Sequence, residues 1–114
     1  MTIKEISNQL NANIVTGEQF IDKEVKCGFA SDLMSDVLTL DSEGMLLITG
    51  LANIQTIRTA EMADISCILF VRAKKTTPTM INIAKENNIV LMECPYSMYK
   101  AIGILNNMNL PPIY

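Results

Sequence analysis

Apolar residues follow two rhythms along this chain. In one they run almost unbroken, as in Met45-Leu46-Leu47-Ile48, from Ile65 to Val71 and from Ile89 to Cys94. Runs of that length fit strands covered on both faces. In the other they recur every third or fourth position, as in Ile3, Ile6 and Leu10, or Ala101, Ile102, Leu105 and Met108. That spacing fits helices burying one face.

The punctuation sharpens both readings. Thr2-Ile3-Lys4-Glu5 reads as a capping box that opens a helix, and Asn11 to Asn13 close it. Ile14-Val15-Thr16 is a short strand, Gly17-Glu18 starts a turn, and 24–29 is a second strand. Ser31 is placed to cap a short helix in which Leu33 and Val37 share a face, and Asp41-Ser42-Glu43-Gly44 reads as a turn. Gly50 breaks the strand Met45–Thr49, and Asn53 caps a helix to about Ala63 with Ile54 and Ile57 inward. A polar loop, Arg72-Ala73-Lys74-Lys75-Thr76, follows the strand at 65–71. Thr77-Pro78 is a strong helix start, and Asn87-Asn88 can end that helix in the left-handed conformation. Pro95 ends the strand at 89–94, Ser97 caps the last helix, and 110–114 is a non-helical tail.

From Met45 onward strand and helix alternate three times, which makes right-handed parallel crossovers. The fold class predicted is α/β: a mostly parallel sheet with helices on both faces. Short, non-parallel extra strands are expected in the N-terminal third. The 114 residues fit one domain spanning 1–114.

Composition narrows the function. Hydrophobic residues make up 49% and charged ones 18%, ample for a core. Aromatics are 5% with no Trp, so Ile, Leu, Val, Met and Ala must build that core. A net charge of −3 argues against nucleic acid or an anionic membrane as partner. No apolar run approaches the ~20 residues that span a bilayer, and the N-terminus lacks signal-peptide character. Cys27, Cys67 and Cys94 stand far apart, which suits a reducing, cytoplasmic setting and a role as buried small hydrophobes. The absence of His removes imidazole zinc sites and Ser-His or Cys-His nucleophile pairs. No GxxxxGK[ST] pattern is present, so P-loop phosphoryl transfer is excluded. The expectation is no catalytic residue, no metal and no cofactor.

In an open parallel sheet, ligands bind beyond the carboxyl ends of the strands. Those ends are Thr49-Gly50, Arg72-Ala73 and Glu93-Cys94, with the segment from Ser31 to Asp36 near the same edge. This gives a candidate ligand-binding set of Ser31, Asp32, Thr49, Asn53, Arg72 and Tyr96. Helix N-termini at Asn53, Thr77 and Ser97 would point amides toward it. Ser31, Asn53, Thr77 and Ser97 also read simply as helix caps. Asp32 and Asp36, four apart, read as solvated helix surface rather than a metal pair. Arg72, Lys74 and Lys75 form the basic cluster of a solvated loop.

The octet Ser31-Asp32-Leu33-Met34-Ser35-Asp36-Val37-Leu38 resembles the DRTGG domain family. So do Thr49 with Asn53-Ile54, and Lys85-Glu86-Asn87-Asn88-Ile89 followed by a strand and Pro95-Tyr96. The likeness runs from Ile3 to about Leu110. It is to the freestanding bacterial form, itself similar to the N-terminal domain of HPr kinase/phosphorylase. The resemblance implies a regulatory α/β domain that tends to dimerise and that elsewhere is fused to CBS nucleotide-sensing domains, phosphotransacetylase or HPr kinase-type proteins. Where the family has a Thr-Gly-Gly or Asn-Gly turn, this chain has Val71-Arg72-Ala73. The glycines that let backbone amides approach an anion are replaced.

The expected function is a non-catalytic regulatory module that senses a small ligand, such as a nucleotide or another phosphate-bearing molecule, and dimerises. The alternative is a protein-docking accessory subunit of a metabolic or redox complex with no small-molecule ligand. A homodimer through the 29–40 region is expected, because Phe20, Ile21, Phe29, Met34, Leu38 and Leu40 exceed what so small a core absorbs.

Overall fold

The unbroken apolar runs form the middle of a sheet. The computed structural model describes residues 1–41 and 43–114. Its α-helices and strands are α1 (Ile3–Gln9), β1 (Asn13–Thr16), β2 (Cys27–Ala30), α2 (Met34–Val37), β3 (Met45–Thr49), α3 (Ile54–Met62), β4 (Cys67–Phe70), α4 (Pro78–Glu86), β5 (Val90–Glu93) and α5 (Met98–Asn107), with a 3-10 turn at Glu18–Phe20. The strands lie in the order β1-β5-β4-β3-β2. β2, β3, β4 and β5 run parallel, and β1 closes one edge antiparallel to β5.

The parallel β2 corrects the expectation of non-parallel strands in the N-terminal third. The chain leaves β2, crosses one face through α2 and re-enters as β3 in the same direction. β1 alone among the described strands is antiparallel. Glu24 lies outside β2 and pairs with Thr2 in an isolated bridge.

Alternate residues of the central strands feed two cores. Leu46, Ile48, Leu69 and Met92 face α1 and α5, packing with Ile6, Leu10, Ala101 and Leu105. Leu47, Ile68, Phe70 and Leu91 face α2, α3 and α4, packing with Val37, Ile57, Met80 and Ala84. Each large side chain so buried contributes about 1.5–3 kcal/mol. Both faces are covered, as runs apolar on both sides require.

The helix ends follow their local signals. Thr2 and Glu5 form the capping box on α1, and Asn53, Thr77 and Ser97 cap α3, α4 and α5. Asn11 and Asn88 take the left-handed conformation just past α1 and α4, with φ of 50° and 56°. Gly44 turns with φ of 70° into β3, while Ser42 of the same turn lies outside the described residues.

Three further expectations are corrected. Ser31 does not cap α2: Leu33 occupies the cap position, because the 31–33 segment stays extended toward β3. Ile54 and Ile102 are exposed, the first at the overhanging start of α3, the second one residue round from the buried Ala101–Leu105 line. Met34, counted among the surplus apolar residues, is buried beneath α2. No helix among the described residues is long and apolar enough to cross a membrane.

Candidate functional site

Three parallel strands deliver their carboxyl ends to one edge of the sheet, and a small polar cluster forms there. Asp32 follows β2 by two residues. Its Oδ1 accepts from the Gly50 N–H at 2.7 Å and from the Thr49 hydroxyl at 2.9 Å. Its Oδ2 lies 3.7 Å from Arg72 Nη2. The Gly50 amide, with help from Thr49 and Arg72, holds the Asp32 carboxyl below its ordinary value against the opposing effect of partial desolvation. Thr49 is the hub: its oxygen also accepts from the Leu51 N–H at 3.1 Å.

Arg72 reaches this cluster across Gly50. Its Nη2 donates to the Gly50 carbonyl at 3.4 Å. A Cβ at Gly50 would run into the guanidinium, so only glycine leaves room for it there. The Arg72 backbone is unusual as well. Arg72 and Ala73 both lie in the left-handed region, with φ of 62° and 56°. Their N–H groups donate to the Tyr96 carbonyl at 2.7 Å and the Cys94 carbonyl at 3.0 Å. The amides of this turn are therefore spent on the neighbouring β5–α5 connection and do not face a ligand.

The other expected residues sit close by with local duties. Ser31 Oγ accepts from the Leu33 N–H at 3.0 Å. Asn53 Oδ1 accepts from the Thr56 N–H at 3.1 Å as the cap of α3. Tyr96 meets Arg72 through its carbonyl, and its ring lies under Lys100 Nζ at 4.0 Å. The structure thus joins Asp32, Thr49 and Arg72 directly and Tyr96 through the backbone. Ser31 and Asn53 flank them. Asp36 is not a companion of Asp32, because Asp32 precedes the first turn of α2 and shares no helical face with it.

Residues 5–108 match the model of the DRTGG domain. The chain belongs to the DRTGG domain family. A solved structure shares the fold of this DRTGG domain: the crystal structure of the CBS and DRTGG domains of the regulatory region of Clostridium perfringens pyrophosphatase, complexed with its activator diadenosine tetraphosphate. The TM-score is 0.74 at 18% identity, over 98% of this chain and 48% of that one. The DRTGG domain described here thus spans about half of that chain. No curated protein matches.

Two carboxylates organise the edge of this DRTGG domain, and sequence reasoning singled out only one. Glu93 Oε2 accepts from the Thr76 N–H at 2.7 Å and the Thr76 hydroxyl at 2.8 Å. Its Oε1 meets Lys75 Nζ at 3.5 Å. Glu93 thereby fastens the β4–α4 loop, as Asp32 fastens the β2–α2 loop. The available signal was a lone carboxylate closing the apolar run of β5. Lys100 also lay outside the candidate set, although its place in the first turn of α5 puts it near Tyr96.

Two of the three buried cysteines, Cys67 and Cys94, are held as thiols. Burial pushes the Cys67 thiol up to about 12, and burial also raises that of Cys94, whose thiol donates to the Leu10 carbonyl at 3.3 Å. Among the described residues no group of three His, Cys, Asp or Glu side chains could hold a metal ion. What the edge offers is a half-exposed guanidinium beside a hydrogen-bonded carboxylate.

Proposed function

We propose that this DRTGG domain is a non-catalytic regulatory module that binds a small phosphate-bearing ligand at the carboxyl edge of its sheet and acts as a cytoplasmic homodimer. One observation carries the ligand reading. Arg72 is held at the strand end by a left-handed backbone, yet its guanidinium is half exposed and only 3.7 Å from Asp32. An ion pair that long and that exposed is weak, so a phosphate can draw the guanidinium from it. The pyrophosphatase regulatory region of the same fold was solved with a dinucleoside polyphosphate activator, which supports a phosphate-bearing ligand. Similarity to the N-terminal domain of HPr kinase, read from the octet at Ser31, belongs to the same proposal.

Native mass spectrometry after gentle purification looks for a retained ligand. Titration calorimetry with diadenosine tetraphosphate, ATP and inorganic phosphate then compares wild type with Arg72→Ala. Binding by at least one of these, weakened about tenfold or more in the variant, is the expected result. No binding by any of them, or equal binding by the variant, ends the reading. The dimer rests on Leu33 and Leu38, exposed at 58% and 48% beside this edge. They also favour the second reading, docking onto another protein, which a monomer without small-molecule binding would bring forward.

A further inference from the structure

A second binding feature lies at the other side of the β2 edge. The C-terminal tail runs along β2: the Gly28 N–H donates to the Pro111 carbonyl at 2.9 Å, and the Ile113 N–H donates to the Gly28 carbonyl at 3.1 Å. Tail, β2 and α5 enclose a cleft of about 330 Å³. Ala30, Ile48, Ile102, Leu105 and Pro112 supply its walls, and no Lys, Arg, Asp or Glu among the described residues lines it. A charged group would lose its hydration there with no compensation. The volume is at the small end of the range for small-molecule sites.

The cleft also contains an open hydrogen-bonding rung. Parallel pairing turns the backbone of Cys27, Phe29 and Ser31 toward β3, as the Ser31 N–H to Ile48 carbonyl bond of 3.1 Å shows. The N–H and C=O of Gly28 and Ala30 therefore face outward. Those of Gly28 are taken by the tail. Those of Ala30 form the next rung, on the cleft wall, and no backbone group of the tail or of a loop among the described residues bonds to them.

We propose that this cleft binds an uncharged planar molecule carrying a hydrogen-bond donor and an acceptor side by side, as a cyclic amide or a nucleobase does, paired with the Ala30 N–H and C=O. The donor of the ring meets the Ala30 carbonyl, and its acceptor takes the Ala30 N–H. An extended peptide fits less well. The tail occupies the preceding rung and β2 ends at Ala30, so one rung is all that remains. A ring needs only one. Tyr114, 88% exposed with its ring 6.2 Å from that of Phe29, stands where it can cover a bound ring. The cleft shares no residue with the Arg72 edge, and phosphate titration reports on that edge separately.

The test is nuclear magnetic resonance of the ¹⁵N-labelled full chain titrated with quinolin-2(1H)-one and with its N-methyl derivative, which lacks the donor. The lactam should shift the Ala30 and Tyr114 amides saturably. The N-methyl compound should bind about tenfold more weakly, the cost of an unmade hydrogen bond. Ile102→Glu, at an exposed position, should weaken the lactam about tenfold or more while the spectrum keeps its folded dispersion. No saturable shift at Ala30 in millimolar probe, equal affinity for the two compounds, or unchanged binding by the Ile102→Glu variant would each overturn the proposal. Displacement of the lactam by acetyl-trivaline amide at lower concentration would also overturn it and assign the rung to strand addition.

Discussion

Asp32 accepts hydrogen bonds from the Gly50 amide and the Thr49 hydroxyl, so the native state favours its charged form. Its folded pKa lies below the ordinary 3.8. Its contribution is therefore present above that value and is lost as pH falls through the folded pKa. Urea midpoints measured from pH 6 down to about pH 3 should fall more steeply for wild type than for Asp32→Asn at the acid end. Parallel curves would show that the carboxylate adds nothing to folding. Ala73 presents a different local cost. A non-glycine residue in the left-handed region loses roughly 1–2 kcal/mol, and glycine there gives back roughly 0.5–1 kcal/mol in chain entropy. Ala73→Gly should thus raise stability by up to about 1.5 kcal/mol in denaturant titration. Asp32 and Arg72 were legible in the sequence because residues past the end of a buried strand reach the sheet edge. The role of Glu93 was not, since nothing local shows that Thr76 folds back onto it.

The β3–α3 turn shows how one element disciplines another. Gly50 leaves the space in which the Arg72 guanidinium rests. An alanine there meets the far end of a flexible side chain, which can swing away. Gly50→Ala should therefore fold with a stability loss below about 1.5 kcal/mol yet bind phosphate ligands as weakly as Arg72→Ala. A Gly50→Ala protein with wild-type calorimetric affinity would show that the placement of Arg72 is immaterial. Strands β3, β4 and β5 and the capped helices were readable because each rests on an apolar run or a cap within a few residues of itself. The direction of β2 was not, because it depends on the crossover through α2. Periodicity placed Ile54 and Ile102 on a face but could not say how far the neighbouring layer extends over it.

At the scale of the whole molecule, the buried Met34 changes how dimerisation is tested. A charge there breaks the core under α2 and should cost about 3 kcal/mol or more. Leu33→Asp and Leu38→Asp alter exposed positions instead. Wild type should sediment as a dimer across a dilution series, and the Leu33 and Leu38 variants should dissociate at higher concentration with their thermal midpoints little changed. A wild-type monomer at high micromolar concentration removes the dimer, whereas a dimer indifferent to both variants removes this surface. The strand order carries one more consequence. Asn13 is paired with Glu93, so the first strand of the chain finds its partner in the last. β3, β4 and β5 can zip together through short crossovers as soon as they are made. The opening helix and strand must wait for the final third of the chain, and the closure of that long loop is then the slow step. During synthesis the N-terminal segment should remain sensitive to protease until β5 has left the ribosome, and a chain ending before Val90 should never protect it.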